Sequence, residues 1–65
     1  MRTIRKRLTC VNRGPSVEAH QKNMIAIQKI IDRYVAKMNK KGWKLGEIFT
    51  GDAMFQYEAI VYMTK

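Results

Sequence analysis

The stretch Ser16–Gly42, SVEAHQKNMIAIQKIIDRYVAKMNKKG, decides the fold. Within it Val17, His20, Met24, Ile27, Ile31, Tyr34, Val35 and Met38 recur at spacings of three and four. At about 100° per residue they project onto an arc roughly 100° wide, the apolar stripe of an amphipathic helix. Lys22, Lys29, Arg33, Lys37 and Lys40 fall on the opposite arc. Ser16 is placed to cap the first turn, and Gly14-Pro15 stops whatever precedes it. Lys37, Lys40 and Lys41 suit the negative end of the helix dipole, and Gly42 suits a left-handed residue that terminates the helix. The pattern predicts one helix over residues 16–41, with a length of roughly 39 Å at 1.5 Å per residue.

The flanks read as strands. Over residues 3–12, Ile4, Leu8 and Cys10 share one parity, interrupted by Lys6, while Arg5, Arg7 and Thr9 share the other. This is the alternation of a half-buried strand with one wet face. Residues 43–50 and 54–64 read as a hairpin turning at Gly51-Asp52-Ala53. In its second arm Phe55, Tyr57, Ala59, Val61 and Met63 form an unbroken apolar face. In its first arm Trp43, Leu45 and Phe49 alternate with Lys44, Gly46 and Ile48, and Gly46 marks a bulge or a close backbone approach.

The order is therefore β-α-β-β, an α+β fold in one domain over residues 1–65. A right-handed crossover sets the first two strands parallel, and the last strand, the most apolar, inserts between them. The expected sheet has order 1-3-2, with the long helix packed on one face. The other face is then expected to expose Met54, Ile60, Tyr62 and Ile48, a large apolar patch for so small a chain. A chain of this size buries only about 60% of its unfolded surface. With two sheet edges unpaired as well, a homodimer or higher oligomer is expected.

The junction Ile30–Leu45, IIDRYVAKMNKKGWKL, resembles a small uncharacterised bacterial and phage family, one of the domains of unknown function. That family pairs a basic or mixed first strand with a helix ending in a Leu-Asn-x-x-Gly-Trp-Glu-Leu-like turn, followed by a closing hairpin. Met38-Asn39 and Gly42-Trp43-Lys44-Leu45 match that turn, with Lys44 where an acid is commoner. The hairpin end Ala59–Lys65 is similar in character. The resemblance implies the fold and no activity.

Enzyme chemistry finds little support. His20 is the only histidine and projects onto the apolar stripe; Cys10 is the only cysteine and sits on the inward parity of its strand. One cysteine makes neither an internal disulfide nor a cysteine-based zinc site. Glu18, Asp32, Glu47, Asp52 and Glu58 are scattered, with no spacing that suggests paired acid–base work or a metal site. Small toxin ribonucleases of the double-stranded-RNA-binding-like fold resemble the helix-to-hairpin layout, but they carry a catalytic histidine after Gly-Ser. Thr50-Gly51-Asp52-Ala53 has none, so that activity is rejected. No catalytic residue, cofactor or metal ligand is expected.

Charge is the remaining clue. Thirteen Lys+Arg against five Asp+Glu give a formal +8. Residues 1–14 carry five basic and no acidic side chains, residues 15–42 six against two, and residues 43–65 two against three. No apolar run approaches the roughly 18 residues of a membrane span. Nor does an apolar stretch follow the basic start as in a signal peptide, so a cytoplasmic protein without a membrane partner is the expectation. The leading expectation is a non-catalytic module that docks a protein partner through its open sheet face or edge. The alternative is binding of nucleic acid, nucleotide or another phosphate-bearing ligand through Arg2, Arg5, Lys6, Arg7, Lys22, Lys29, Arg33, Lys37 and Lys40. For single strands, stacking would have to come from Tyr62 and Tyr57, with Tyr57 expected in the core.

Overall fold

The computed structural model describes residues 1–65, with β1 at Thr3–Val11, α1 at Val17–Asn39, β2 at Lys44–Asp52 and β3 at Gln56–Thr64. The sheet order is β1-β3-β2, with β3 antiparallel to both neighbours. This is the α+β arrangement expected from the sequence, with the last strand in the middle. A helix of 23 residues is about 34 Å long and matches strands of nine residues, each about 30 Å long.

The core lies between α1 and β3. Tyr57, Ala59, Val61 and Met63 alternate along β3 and are all buried against Ile27, Ile31 and Met38 of α1. Period-two alternation on the strand meets helical spacing on α1, so each row of side chains fills the other. Ile4, Leu8 and Cys10 from β1, with Trp43 and Ile48 from the other side, close the flanks.

The buried line of the helix differs from the expected stripe in its first two turns. Ala19 and Asn23 are buried there, whereas Val17, His20 and Met24 are exposed. The hydrophobic projection passed over a small residue and an asparagine because neither scores as apolar bulk. Asn23 is fully buried, and both polar atoms of its side chain have hydrogen-bond partners. Its Oδ1 accepts from the Arg13 backbone N–H at 3.2 Å and from Arg13 Nη1 at 3.1 Å, while its Nδ2 donates to Asn12 Oδ1 at 3.1 Å. Asn12 Nδ2 in turn donates to the Ala53 carbonyl at 3.1 Å, and its backbone N–H to the Phe55 carbonyl at 3.3 Å. One polar cluster thus joins α1, the β1–α1 loop and the β2–β3 turn, replacing water at each buried polar group.

The helix begins and ends as its terminal residues predict. The Ser16 side chain accepts from the Ala19 N–H at 3.0 Å. At the other end Trp43 N–H donates to the Met38 carbonyl at 3.1 Å and Gly42 N–H to the Asn39 carbonyl at 3.0 Å. Gly42 has φ +88°, completing the paired bonds of a Schellman turn. The regular helix stops at Asn39, two residues short of the predicted end, because residues 40–41 already belong to this turn.

The hairpin holds two corrections. Phe55, expected at the head of the apolar row, is 79% exposed. It precedes β3 and belongs to the turn, where Ala53 N–H donates to the Gln56 carbonyl at 2.7 Å. In β2 the register shifts between Leu45 and Ile48, so Ile48 pairs with Val61 and Phe49 with Ile60. One residue of slip exchanges the faces. Ile48, expected on the open face, packs against the core, and Phe49, expected inside, points away from it at 56% exposure. A Cβ on Gly46 would lie 3.0 Å from the Tyr62 carbonyl oxygen. The glycine therefore marks both a bulge and a close approach.

Two substitutions test these joints by urea unfolding. Asn23→Ala leaves Asn12 and Arg13 groups without their partner and is expected to cost about 1–3 kcal/mol. Gly42→Ala forces a β-carbon into the left-handed region and is expected to cost about 1 kcal/mol.

Candidate functional site

Strand alternation divides the sheet into two unlike faces. The face away from α1 is built by rows across the register. Arg7, Ile60 and Phe49 form one row, Arg5 and Tyr62 lie beside it, and Thr3, Thr64 and Lys44 form the next. Nothing covers this face. The total accessible surface is 4831 Å², against about 4,300 Å² expected for a compact monomer of this mass.

At the centre of the bare face, the Phe49 and Tyr62 rings meet edge to face, with centroids 6.0 Å apart and planes at 90°. Ile60 lies half-buried beside Phe49 through the strand pairing. The bulge at Gly46 assembles this pair, since without the slip Phe49 would face α1. Arg5 and Arg7 run along the β1 side of the same face. Arg7 Nε donates to Glu58 Oε2, and Arg7 Nη2 to Gln56 Oε1 at 3.4 Å. With side chains 54% and 30% exposed, the Arg7–Glu58 pair orients the guanidinium but contributes only about 0–1 kcal/mol to stability. Chemically the face offers aromatic and aliphatic surface with a margin of Arg5, Arg7 and the Glu58 carboxylate that pairs with Arg7.

The candidate residues read from the sequence separate into groups. Of the four first-strand cations, only Arg5 and Arg7 share the open face; Lys6 pairs with Val61 and so has the helix-side parity, as does Arg2 by alternation. Arg2 instead extends the ladder by exchanging backbone hydrogen bonds with Lys65, both at 2.9 Å. On α1, Lys22, Lys29 and Arg33 lie with Arg13 on a separate surface, with Lys37 and Lys40 further along the helix. Of the four apolar candidates, Ile60 and Tyr62 lie on the open face. Ile48 is turned inward, and Met54 sits in the β2–β3 turn, 85% exposed. Phe49 is the site residue the sequence reading missed, and its one sequence signal was Gly46 within an otherwise alternating strand.

The remaining reactive groups have structural surroundings. The exposed His20 ring lies edge to face with Tyr57, centroids 5.8 Å apart. The half-buried Cys10 Sγ lies 3.8 Å from the Asn23 carbonyl, to which it donates. No three His, Cys, Asp or Glu side chains group to hold a metal ion, and no helix is long and apolar enough to cross a membrane. Comparison with protein-family models, curated proteins and solved structures finds no significant match.

Phe49 and Tyr62 have no role in the core packing between α1 and β3. Phe49→Ser and Tyr62→Ser are each expected to change urea-unfolding stability by about 1 kcal/mol or less, whereas Val61→Ala, in the buried row, costs about 1–3 kcal/mol.

Proposed function

We propose that the protein is a non-catalytic binding module that takes single-stranded nucleic acid on the open face of its sheet. The observation that carries this reading is the shared placement of Phe49, Tyr62, Arg5 and Arg7 on one uncovered face. Single-strand binding combines aromatic platforms for bases with cations for the backbone, and each stacked base contributes about 1–3 kcal/mol. The reading requires a second ring beside Tyr62 once Tyr57 is committed to the core, and Phe49 supplies it. A net charge of +8 supports a phosphate-bearing partner. The leading expectation from sequence is docking of a protein partner through this face or a sheet edge; where that partner is a second copy, face-to-face pairing is opposed by the same charge, since it brings the Arg5 and Arg7 margins of both copies towards one face.

The test is fluorescence anisotropy with labelled single-stranded DNA and RNA of about a dozen nucleotides, at two salt concentrations. Binding is expected to weaken steeply with salt. Arg5→Ala and Arg7→Ala should each reduce the magnitude of the log–log salt slope by about 0.7. Phe49→Ala and Tyr62→Ala should weaken binding about tenfold or more with the slope unchanged. Glu58→Gln releases Arg7 from its carboxylate and is expected to tighten binding. Absence of oligonucleotide binding at low salt would overturn the reading. A dimeric mass in sedimentation that Tyr62→Ala returns to one chain would then favour protein docking.

A further inference from the structure

The sheet has two free edges, β1 and β2, and they differ in kind. β1 keeps an unbroken register from Thr3 to Val11 but carries Arg5, Lys6 and Arg7, the charges that keep an edge from pairing. β2 is irregular between Leu45 and Ile48, yet its register is continuous over residues 48–52, where no lysine or arginine stands. Within β2 only Ile48 is sheltered, and every other residue is exposed. Four large apolar side chains on β2 and the turn that follows it are left in water: Leu45 at 45%, Phe49 at 56%, Met54 at 85% and Phe55 at 79%. Gly51 shares the open face with Phe49, two residues along the strand, and pairs across to Glu58. A Cβ placed on Gly51 would meet nothing within 4 Å, so the space above it is empty.

We infer that a second copy of this chain pairs with the β2 edge, β2 against β2, antiparallel about a two-fold axis that passes through Thr50 normal to the sheet. That axis opposes Thr50 to the partner's Thr50, Phe49 to the partner's Gly51 and Ile48 to the partner's Asp52. Each of these pairs shares a face, as antiparallel pairing requires. The Phe49 ring then lies over a glycine with free space above it, and symmetry makes the contact twice. Moving the axis to Phe49 would oppose the two rings and leave both glycines bare. Beyond Ile48, residues 45–47 run alongside the partner's turn, which brings Leu45 towards the partner's Met54 and Phe55. One operation thus covers all four exposed apolar side chains. Charge selects the same edge. Edge pairing leaves the two β1 strands five strand spacings apart, about 24 Å, well beyond a Debye length of about 8 Å. β2 itself carries only Lys44, Glu47 and Asp52, so the positive charge of each copy stands away from the contact. Both open faces lie on the same side of the resulting sheet, which takes three strands from each copy. Phe49 and Tyr62 of both copies stand towards its middle, and Arg5 and Arg7 run along both margins. The surface assigned to single-stranded nucleic acid is lengthened in this way, although the pairing rests on β2 and not on that ligand.

Sedimentation equilibrium of the intact protein, without oligonucleotide and at concentrations up to about 0.5 mM, reads the association directly. The mass is expected to rise from one chain to two and to stop there, because the edges that remain are the charged β1 strands. A mixture of isotope-labelled and unlabelled protein is expected to show intermolecular contacts between the Phe49 ring and the Gly51 α-protons. Gly51→Lys fills the seat of that ring with a cation and is expected to weaken association at least about tenfold. Gly51 has no positive φ and open space at its Cβ, so this variant keeps its fold, which circular dichroism checks. Thr9→Lys, the same kind of change on the β1 edge, is expected to leave the dimer intact. A mass of one chain at every concentration, a dimer that Gly51→Lys leaves unchanged, or a dimer that Thr9→Lys dissolves equally well would each overturn the assignment. Oligonucleotide binding is measured separately, so failure of either reading leaves the other standing.

Discussion

One helix covers one face of a three-stranded sheet, and everything else in the molecule follows from that limit. The buried row of β3, from Tyr57 to Met63, is stabilised only because Ile27, Ile31 and Met38 seat upon it. Removing apolar surface from water is the dominant favourable term, and in a chain of 65 residues it is spent almost wholly between these two elements. No second helix is left for the other face of the sheet. Whatever that face carries is therefore presented to a partner or to solvent, and it carries Phe49, Ile60, Tyr62, Arg5 and Arg7.

The polar cluster around Asn23 plays a complementary part. Apolar packing is non-directional and would tolerate the helix sliding along the sheet. Hydrogen bonds from Asn12, Asn23 and Arg13 are directional, and they join three segments at one end of the molecule. They set the depth at which α1 meets the sheet and hold Arg13 against Asn23. Trp43 anchors the far end, where the Schellman turn delivers it to the core and Lys65 Nζ lies 5.5 Å from its ring centroid.

Much of the architecture was visible in the sequence. Helical spacing from Ile27 to Met38, the Ser16 cap, the Gly42 stop and the alternation of β3 each report a local preference, and all of them agree on the same fold. The misreadings occurred where a single residue changes what alternation means. Periodicity assumes an unbroken register, so the bulge near Gly46 exchanged Ile48 and Phe49 and concealed half of the aromatic pair. Hydrophobic projection weighs bulk, so Ala19 and Asn23 went unseen while Val17, His20 and Met24 were placed inside. Phe55 was drawn into the strand by its parity, although the turn claims it. The candidate site was thus only partly visible: Ile60, Tyr62, Arg5 and Arg7 could be read from alternation, but Phe49 required the register of three strands.

The account therefore rests most heavily on the direction in which β2 points its side chains. Nuclear Overhauser contacts of selectively labelled Ile and Phe in the free protein measure that direction without any ligand. The Ile48 methyl groups are expected to show contacts to Val61, and the Phe49 ring to Ile60 and Tyr62 with none to α1. Contacts from the Phe49 ring to Ile31 or Met38, with Ile48 facing solvent, would contradict the account, because the open face would then lack its aromatic platform.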